Sequence, residues 1–194
     1  MFYIISFPMT SIYDFTVKNW DWLFNISDLK WKPFIVANIS DPTEYASSHS
    51  QIRWLNSLYN KYHSQWLEIL WFKTFRDFLW SGFSWDLEFL NFGNVDWGPH
   101  IEFLRFPPIS VNWDDADPFF KYLKDNSPKE LVLWEENLKL DKELKKSVSS
   151  YKNENDILWH FTKFLIDKNW KIVLRVSPLE SPLIMEPEIQ KILE

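Results

Sequence analysis

The chain has 194 residues, 46% of them hydrophobic, with a formal charge of -6 and no cysteine. This length and apolar content suit a single domain, residues 1–194, with a core that needs no staples. The missing cysteines exclude disulfides and thiolate-ligated zinc or iron-sulfur centres. The negative balance argues against a free-standing binder of phosphate backbone and leaves RNA contact only as an indirect matter, through a local patch inside a complex.

Thirteen Trp and 17 Phe stand against 3 Gly. Such a fold buries very large side chains with few residues free to take positive φ, so its turns are expected to lean on Pro, Asn, Asp and Ser. The N-terminus lacks a basic region and Phe2 to Phe7 reads as a strand, not a signal peptide. No apolar stretch approaches the roughly 20 residues that span a bilayer, so no membrane contact and a cytoplasmic location are expected.

In chain order, the apolar residues from Ile12 to Asp28 follow no single period, which predicts irregular structure with short helical turns. Trp31 to Asn38 is a buried strand with Pro33 at its start. Asp41-Pro42-Thr43-Glu44 carries an N-cap acid, Pro at the first helical position and a Glu three residues after the cap, so a helix should run to Tyr62. Its inner face is Tyr45, His49, Ile52, Leu55, Tyr59 and Tyr62.

Trp66 to Phe106 then reads as a run of consecutive antiparallel strands: 66–72, 75–80, 83–89 and 101–106, broken at Ser81-Gly82 and Gly93-Asn94. Leu70-Trp71-Phe72 is apolar on both sides, so this strand is covered on both faces or meets a partner. Asp114, Asp115 and Asp117 form a solvated acidic loop before a short helical turn at Phe119 to Lys124. Leu131 to Trp134 adds a short strand, and the lysine-rich 138–152 is an exposed helix or ordered loop. Asp156 is expected to cap a helix with Ile157, Phe161, Phe164 and Leu165 inside, followed by a strand from Lys171 to Val176. The proline-rich tail 177–194 is extended and should dock through Leu183, Met185 and Ile189 before ending in a short helix near Glu188.

The fold class predicted is therefore α+β: an antiparallel, aromatic-rich sheet with helices packed mainly on one face. No catalytic constellation appears. His49, His63, His100 and His160 are scattered without ligand spacing, three glycines leave no phosphate loop, and no metal or cofactor is expected. The arginines among the aromatics, Arg76 and Arg105 included, are diluted by Glu68, Asp77, Asp86, Glu88 and Glu102, which disfavours base stacking along a nucleic-acid strand.

Leu67-Glu68-Ile69-Leu70-Trp71-Phe72 followed by Arg76-Asp77-Phe78-Leu79-Trp80, with Leu29-Lys30-Trp31 earlier, resembles the small accessory subunit of type III-D CRISPR effector complexes. That resemblance implies a non-catalytic subunit packed on the protein backbone of an RNA-guided complex. The reading that follows is a non-enzymatic protein-interaction subunit serving antiviral defence, with protein partners engaged through Trp71, Arg76, Trp80, Trp85, Trp97, Arg105, Leu183, Met185 and Ile189. One alternative is an acidic immunity protein that blocks a nuclease or another nucleic-acid-binding partner through the 114–117 loop. A second is a small hydrolase-type enzyme with His100 as base, oriented by Asp114 or Asp115.

Overall fold

Segment 12–28, expected to be irregular with short helical turns, has such turns at its ends, with a hairpin between them. The turn Ile12–Asp14 leads into β1 (Thr16–Asn19) and β2 (Trp22–Asn25), which pair antiparallel, and the turn Ile26–Leu29 follows. Each strand has four residues, and β2 buries only Phe24, so the alternation is too short to register in the sequence. The computed structural model describes residues 11–39, 46–74 and 100–194. The strands expected at 2–7, 75–80 and 83–89 and the cap at 41–44 lie outside the described residues.

The next strand, β3 (Phe34–Ile39), is buried along its whole length. Helix α1 (Ala46–Tyr62) returns the chain to β4 (Glu68–Lys73), which lies parallel to β3 in a register running from Phe34 opposite Glu68 to Ile39 opposite Lys73. Parallel strands need such a crossover, and a helix supplies it. Strand β5 (Leu104–Phe106) continues the parallel set on the far side of β4. Helix α2 (Pro118–Asn126), capped by the Asp117 carboxylate on the Phe119 N–H, and helix α3 (Glu135–Ser147) follow. Strands β6 (Lys163–Ile166) and β7 (Ile172–Val176) run antiparallel on the other side of β3, and α4 (Glu186–Leu193) ends the chain. The sheet order is β5-β4-β3-β6-β7.

The α+β class is the one predicted. Strand pairing within it is mixed instead of a consecutive antiparallel meander, because β4 and β5 are parallel to their neighbours. Helices also cover both faces. Phe34, Val36, Phe72 and Phe164 pack against the hairpin and against Phe119 and Phe120 of α2. Ile35, Ala37, Ile69 and Leu165 pack against Ile52 and Leu55 of α1, with Met185 and Ile189 from the C-terminal segment. Each of these buried side chains other than Ala37 contributes about 1.5–3 kcal/mol relative to exposure.

The helix expected over 157–165 is absent, and β6 occupies its second half. Asp156 accepts the N–H groups of Lys152 and Asn153, which lie before it, so it caps a turn behind itself and no helix ahead. Asn112 then takes both backbone groups of Ile157 with its side-chain amide, at 3.0 and 2.8 Å. Those groups are thus withdrawn from helical pairing. Short structure expected at 131–134 reduces to one isolated bridge between Leu131 and Val176.

The turns differ from expectation too. Positive φ among the described non-glycine residues falls on Trp20, Trp31, Trp66, Trp113, Phe161 and Trp170, not on Asn, Asp or Ser.

Candidate active site

Polar side chains interrupt the apolar sheet at its carboxyl end. Asn38 lies one residue before the end of β3 and Thr74 one residue beyond β4, and both are fully buried. The Asn38 amide donates from Nδ2 to Thr74 Oγ1 at 3.3 Å and to the Trp159 carbonyl at 3.2 Å. Thr74 Oγ1 lies 3.1 Å from His160 Nδ1, the direction of the proton depending on the imidazole tautomer. Asn38 Oδ1 is buried with no hydrogen-bond partner among the described residues.

The backbone holds these groups in place. Asn38 N–H donates to the Thr162 carbonyl, and Phe161 N–H donates to the Asn38 carbonyl, a clamp that fixes Phe161 at φ 72. Thr74 N–H donates to the Ile39 carbonyl at 3.0 Å. Burial pulls the His160 imidazole down from 6.5 to about 3, so it is neutral at physiological pH. The cluster thus offers hydroxyl, amide and neutral imidazole groups outside the carboxyl ends of two parallel strands, where open α/β sheets bind ligands.

A buried amine lies on the other face of the sheet, where Lys163 pairs with Ala37. Lys163, the first residue of β6, is fully buried and donates from Nζ to the Ser177 carbonyl (2.9 Å), the Glu180 carbonyl (2.7 Å) and Gln51 Oε1 (3.4 Å). Burial draws its amine down to about 7, with Glu130 and Glu180 opposing that shift. Gln51 also donates to the Pro178 and Glu180 carbonyls, so α1, β6 and the C-terminal segment meet at this amine. Its three acceptors all lie within the fold, which makes Lys163 a positioning residue for the start of β6.

The residues singled out from the sequence lie elsewhere. Trp71 is in the core with its Nε1 3.5 Å from the Ile39 carbonyl oxygen; Met185 and Ile189 are fully buried against α1. Arg105 is exposed on β5, and Leu183 is partly exposed. Arg76, Trp80, Trp85 and Trp97 lie outside the described residues. His100 is exposed, and its carbonyl accepts from Asn56. Asp115 meets Ser110 at 3.4 Å, while the Asp114 carbonyl takes Lys121. The sequence assigns no site role to Asn38, Thr74 or Trp159, and His160 is there one of four scattered histidines without ligand spacing. The available signal was an uncharged polar residue near the carboxyl end of each of two runs with apolar centres, 34–39 and 69–72.

No family model matches the chain. It is 32% identical over 184 residues to a glutathione peroxidase of Lactococcus lactis subsp. cremoris, covering 94% of this chain and 99% of that one. It is 30% identical to a probable phospholipid hydroperoxide glutathione peroxidase of Citrus sinensis, with 95% of each chain covered. Among solved structures, Trgpx in its apo form superposes with a TM-score of 0.64 at 22% identity over 95% of this chain and 96% of that chain. The fold is thioredoxin-like, as in those neighbours.

These findings overturn the functional reading of the sequence. The CRISPR resemblance rested on short apolar-aromatic strings, which any buried strand supplies, whereas the peroxidase likeness runs end to end. The non-enzymatic subunit in antiviral defence falls with it, since the relatives are named as enzymes. The acidic inhibitor and the His100 hydrolase fall as well, because neither is the activity those names give. With nearly the full length of both chains aligned to the lactococcal protein, the chain belongs to the glutathione peroxidase family.

Proposed function

We propose that this chain reduces hydroperoxides at the expense of a small thiol of the glutathione type, binding the peroxide beside Asn38, Thr74 and His160. End-to-end similarity to proteins named as glutathione peroxidases carries the reading. The polar cluster at the carboxyl end of β3 and β4 supports it. A cytoplasmic location belongs to the same proposal, because the thiol must be kept reduced.

The chain contains no cysteine, and in a thiol-driven reduction the thiolate is the group that attacks the peroxide oxygen. The nucleophile is therefore the thiol substrate itself. Its sulfur attacks one peroxide oxygen, the O–O bond breaks, and the alkoxide leaves with a proton to become the alcohol. The resulting sulfenic acid condenses with a second thiol, giving a disulfide and water. One hydroperoxide and two thiols thus yield one alcohol, one disulfide and one water.

What the protein contributes is position and charge stabilisation. Asn38 Nδ2 donates to Thr74 Oγ1 and the Trp159 carbonyl and so orients the threonine, whose own hydroxyl proton, when His160 Nδ1 carries the imidazole proton, is left for oxygen charge developing as the O–O bond breaks. Buried donors act strongly there because no water competes. The test is disulfide formation from reduced glutathione and cumene hydroperoxide. The purified chain is expected to exceed the protein-free rate, and Thr74→Val to remove on the order of a hundredfold of that excess. A rate no higher than the protein-free mixture sinks the reading.

A further inference from the structure

Five tryptophans, Trp20, Trp31, Trp66, Trp113 and Trp170, hold φ of 34, 71, 76, 62 and 76°. A bulky side chain in this region is a genuine outlier, because its Cβ approaches the following carbonyl oxygen. At four of the five the local hydrogen bonding identifies the turn, and each turn is one whose left-handed position belongs to glycine.

Asn19 pairs with Trp22, so Trp20 and Asp21 are a two-residue hairpin loop. Only the first of them has positive φ, which is the order of a type II′ turn with glycine at its first central position. Lys30, at φ -54 and ψ 129, precedes Trp31, and Lys32 N–H closes on the Leu29 carbonyl at 2.9 Å. That is a type II turn with Trp31 at the position that requires glycine or asparagine. Trp66 ends a helical segment at φ 76 and ψ 8. Its N–H bonds the His63 carbonyl and the Leu67 N–H bonds the Tyr62 carbonyl, the paired closure that places glycine just past a helix. Trp170 ends the turn opened by Asp167, whose carbonyl accepts the Trp170 N–H and whose carboxylate accepts the N–H groups of Asn169 and Lys171. A left-handed residue after such a turn and before a strand is the glycine of a bulged hairpin.

Four of the side chains are on the surface, where lysines lie over the rings of Trp31, Trp66 and Trp113, and Trp170 packs edge-on against Tyr13. Trp20, Trp31, Trp66 and Trp113 are 61, 67, 66 and 42% exposed. Trp170 buries its indole N–H without a partner among the described residues, although a buried Trp N–H usually finds one. The whole chain carries 3 Gly and 13 Trp, a ratio that a shift of these positions to glycine moves toward ordinary usage. An aromatic docking surface explains exposure, as it would for Trp22 and Trp134, but it gives no reason for the other four exposed tryptophans among the described residues to stand on left-handed turns.

We infer that positions 20, 31, 66, 113 and 170 are glycine in the protein as its source cell makes it. The codon UGA provides the route: some genetic codes read it as tryptophan and others as glycine, while UGG remains tryptophan in both. Four exposed indoles then vanish from the surface, and the turns carry no strain. Trp159, which has no positive φ, stays tryptophan.

Peptide mapping by mass spectrometry of the chain isolated from its native host decides the matter. Expected are glycine at the five positions and tryptophan at 159; tryptophan at the five overturns the inference. A second arm compares the chain as written with the variant Trp20→Gly, Trp31→Gly, Trp66→Gly, Trp113→Gly, Trp170→Gly. The variant is expected to melt higher by about 5–15 °C, and an equal or lower melting temperature counts against it.

Discussion

Phe161 and the five left-handed tryptophans share one region of backbone conformation, and everything around them differs. Phe161 is buried, and its strained turn is fixed by two hydrogen bonds to Asn38 that also set the polar cluster. Trp31, Trp66 and Trp170 gather at the opposite, amino end of the sheet, in turns closed by backbone bonds that any residue makes. The contrast separates two meanings of a backbone outlier. Where surrounding structure over-determines it and a polar site depends on it, strain is part of the site. Where a side chain merely tolerates the turn, glycine serves better.

The largest effect that tests this comparison is at Phe161. Phe161→Gly relieves the left-handed backbone by about 1–2 kcal/mol and forfeits buried aromatic packing of about 3–5 kcal/mol. A net loss of about 2–3 kcal/mol in denaturant unfolding is expected, whereas glycine at any of the five tryptophans gives no loss. If Phe161→Gly proves stabilising, the distinction between the two classes of outlier collapses.

His160 gives the next effect, and it belongs to the carboxyl end alone. Its folded pKa, about 3, lies below the unfolded value of 6.5 because burial disfavours the imidazolium. Between those values the unfolded chain holds the extra proton. Stability is therefore fully present above pH 6.5 and is lost as pH falls toward 3, by at most about 1.4 kcal/mol per pH unit. Equilibrium unfolding between pH 7 and pH 5 reads the slope, and His160→Gln is expected to flatten it. An unchanged slope in that variant assigns the acid sensitivity to other groups.

Legibility in the sequence followed the same division. Strands β3 and β4 were visible because continuous apolar runs with β-branched and aromatic residues have one good explanation, burial on both faces. Their parallel pairing was not, although a strand, a helical pattern and a second strand in succession is the signature of a crossover. The run from Ile157 to Ile166 fits helix and strand periods alike, and what decided it was remote: the amides of Asn112 and Asn38, each far along the chain. Asn38 and Thr74 carry no spacing signal, since the sheet and not the sequence brings them together. The scarcity of glycine was plain in the composition. That tryptophan would stand on the left-handed turns was not, because no local pattern rewards it.

The smallest effect lies at the amino end and turns on whether indoles are present there. Lys30 Nζ sits 5.5 Å from the Trp31 ring and 5.7 Å from the Trp170 ring. An exposed cation over an aromatic face contributes about 0.5–1 kcal/mol. Lys30→Ala should therefore cost about that much in the chain carrying both tryptophans, and close to nothing in a background with Trp31→Gly and Trp170→Gly. The double-mutant cycle isolates the pairwise term from whatever the lysine stem packs against. A cost that persists with both rings gone assigns Lys30 to packing of its stem, and the amino end then gains nothing from its tryptophans beyond the strain they impose.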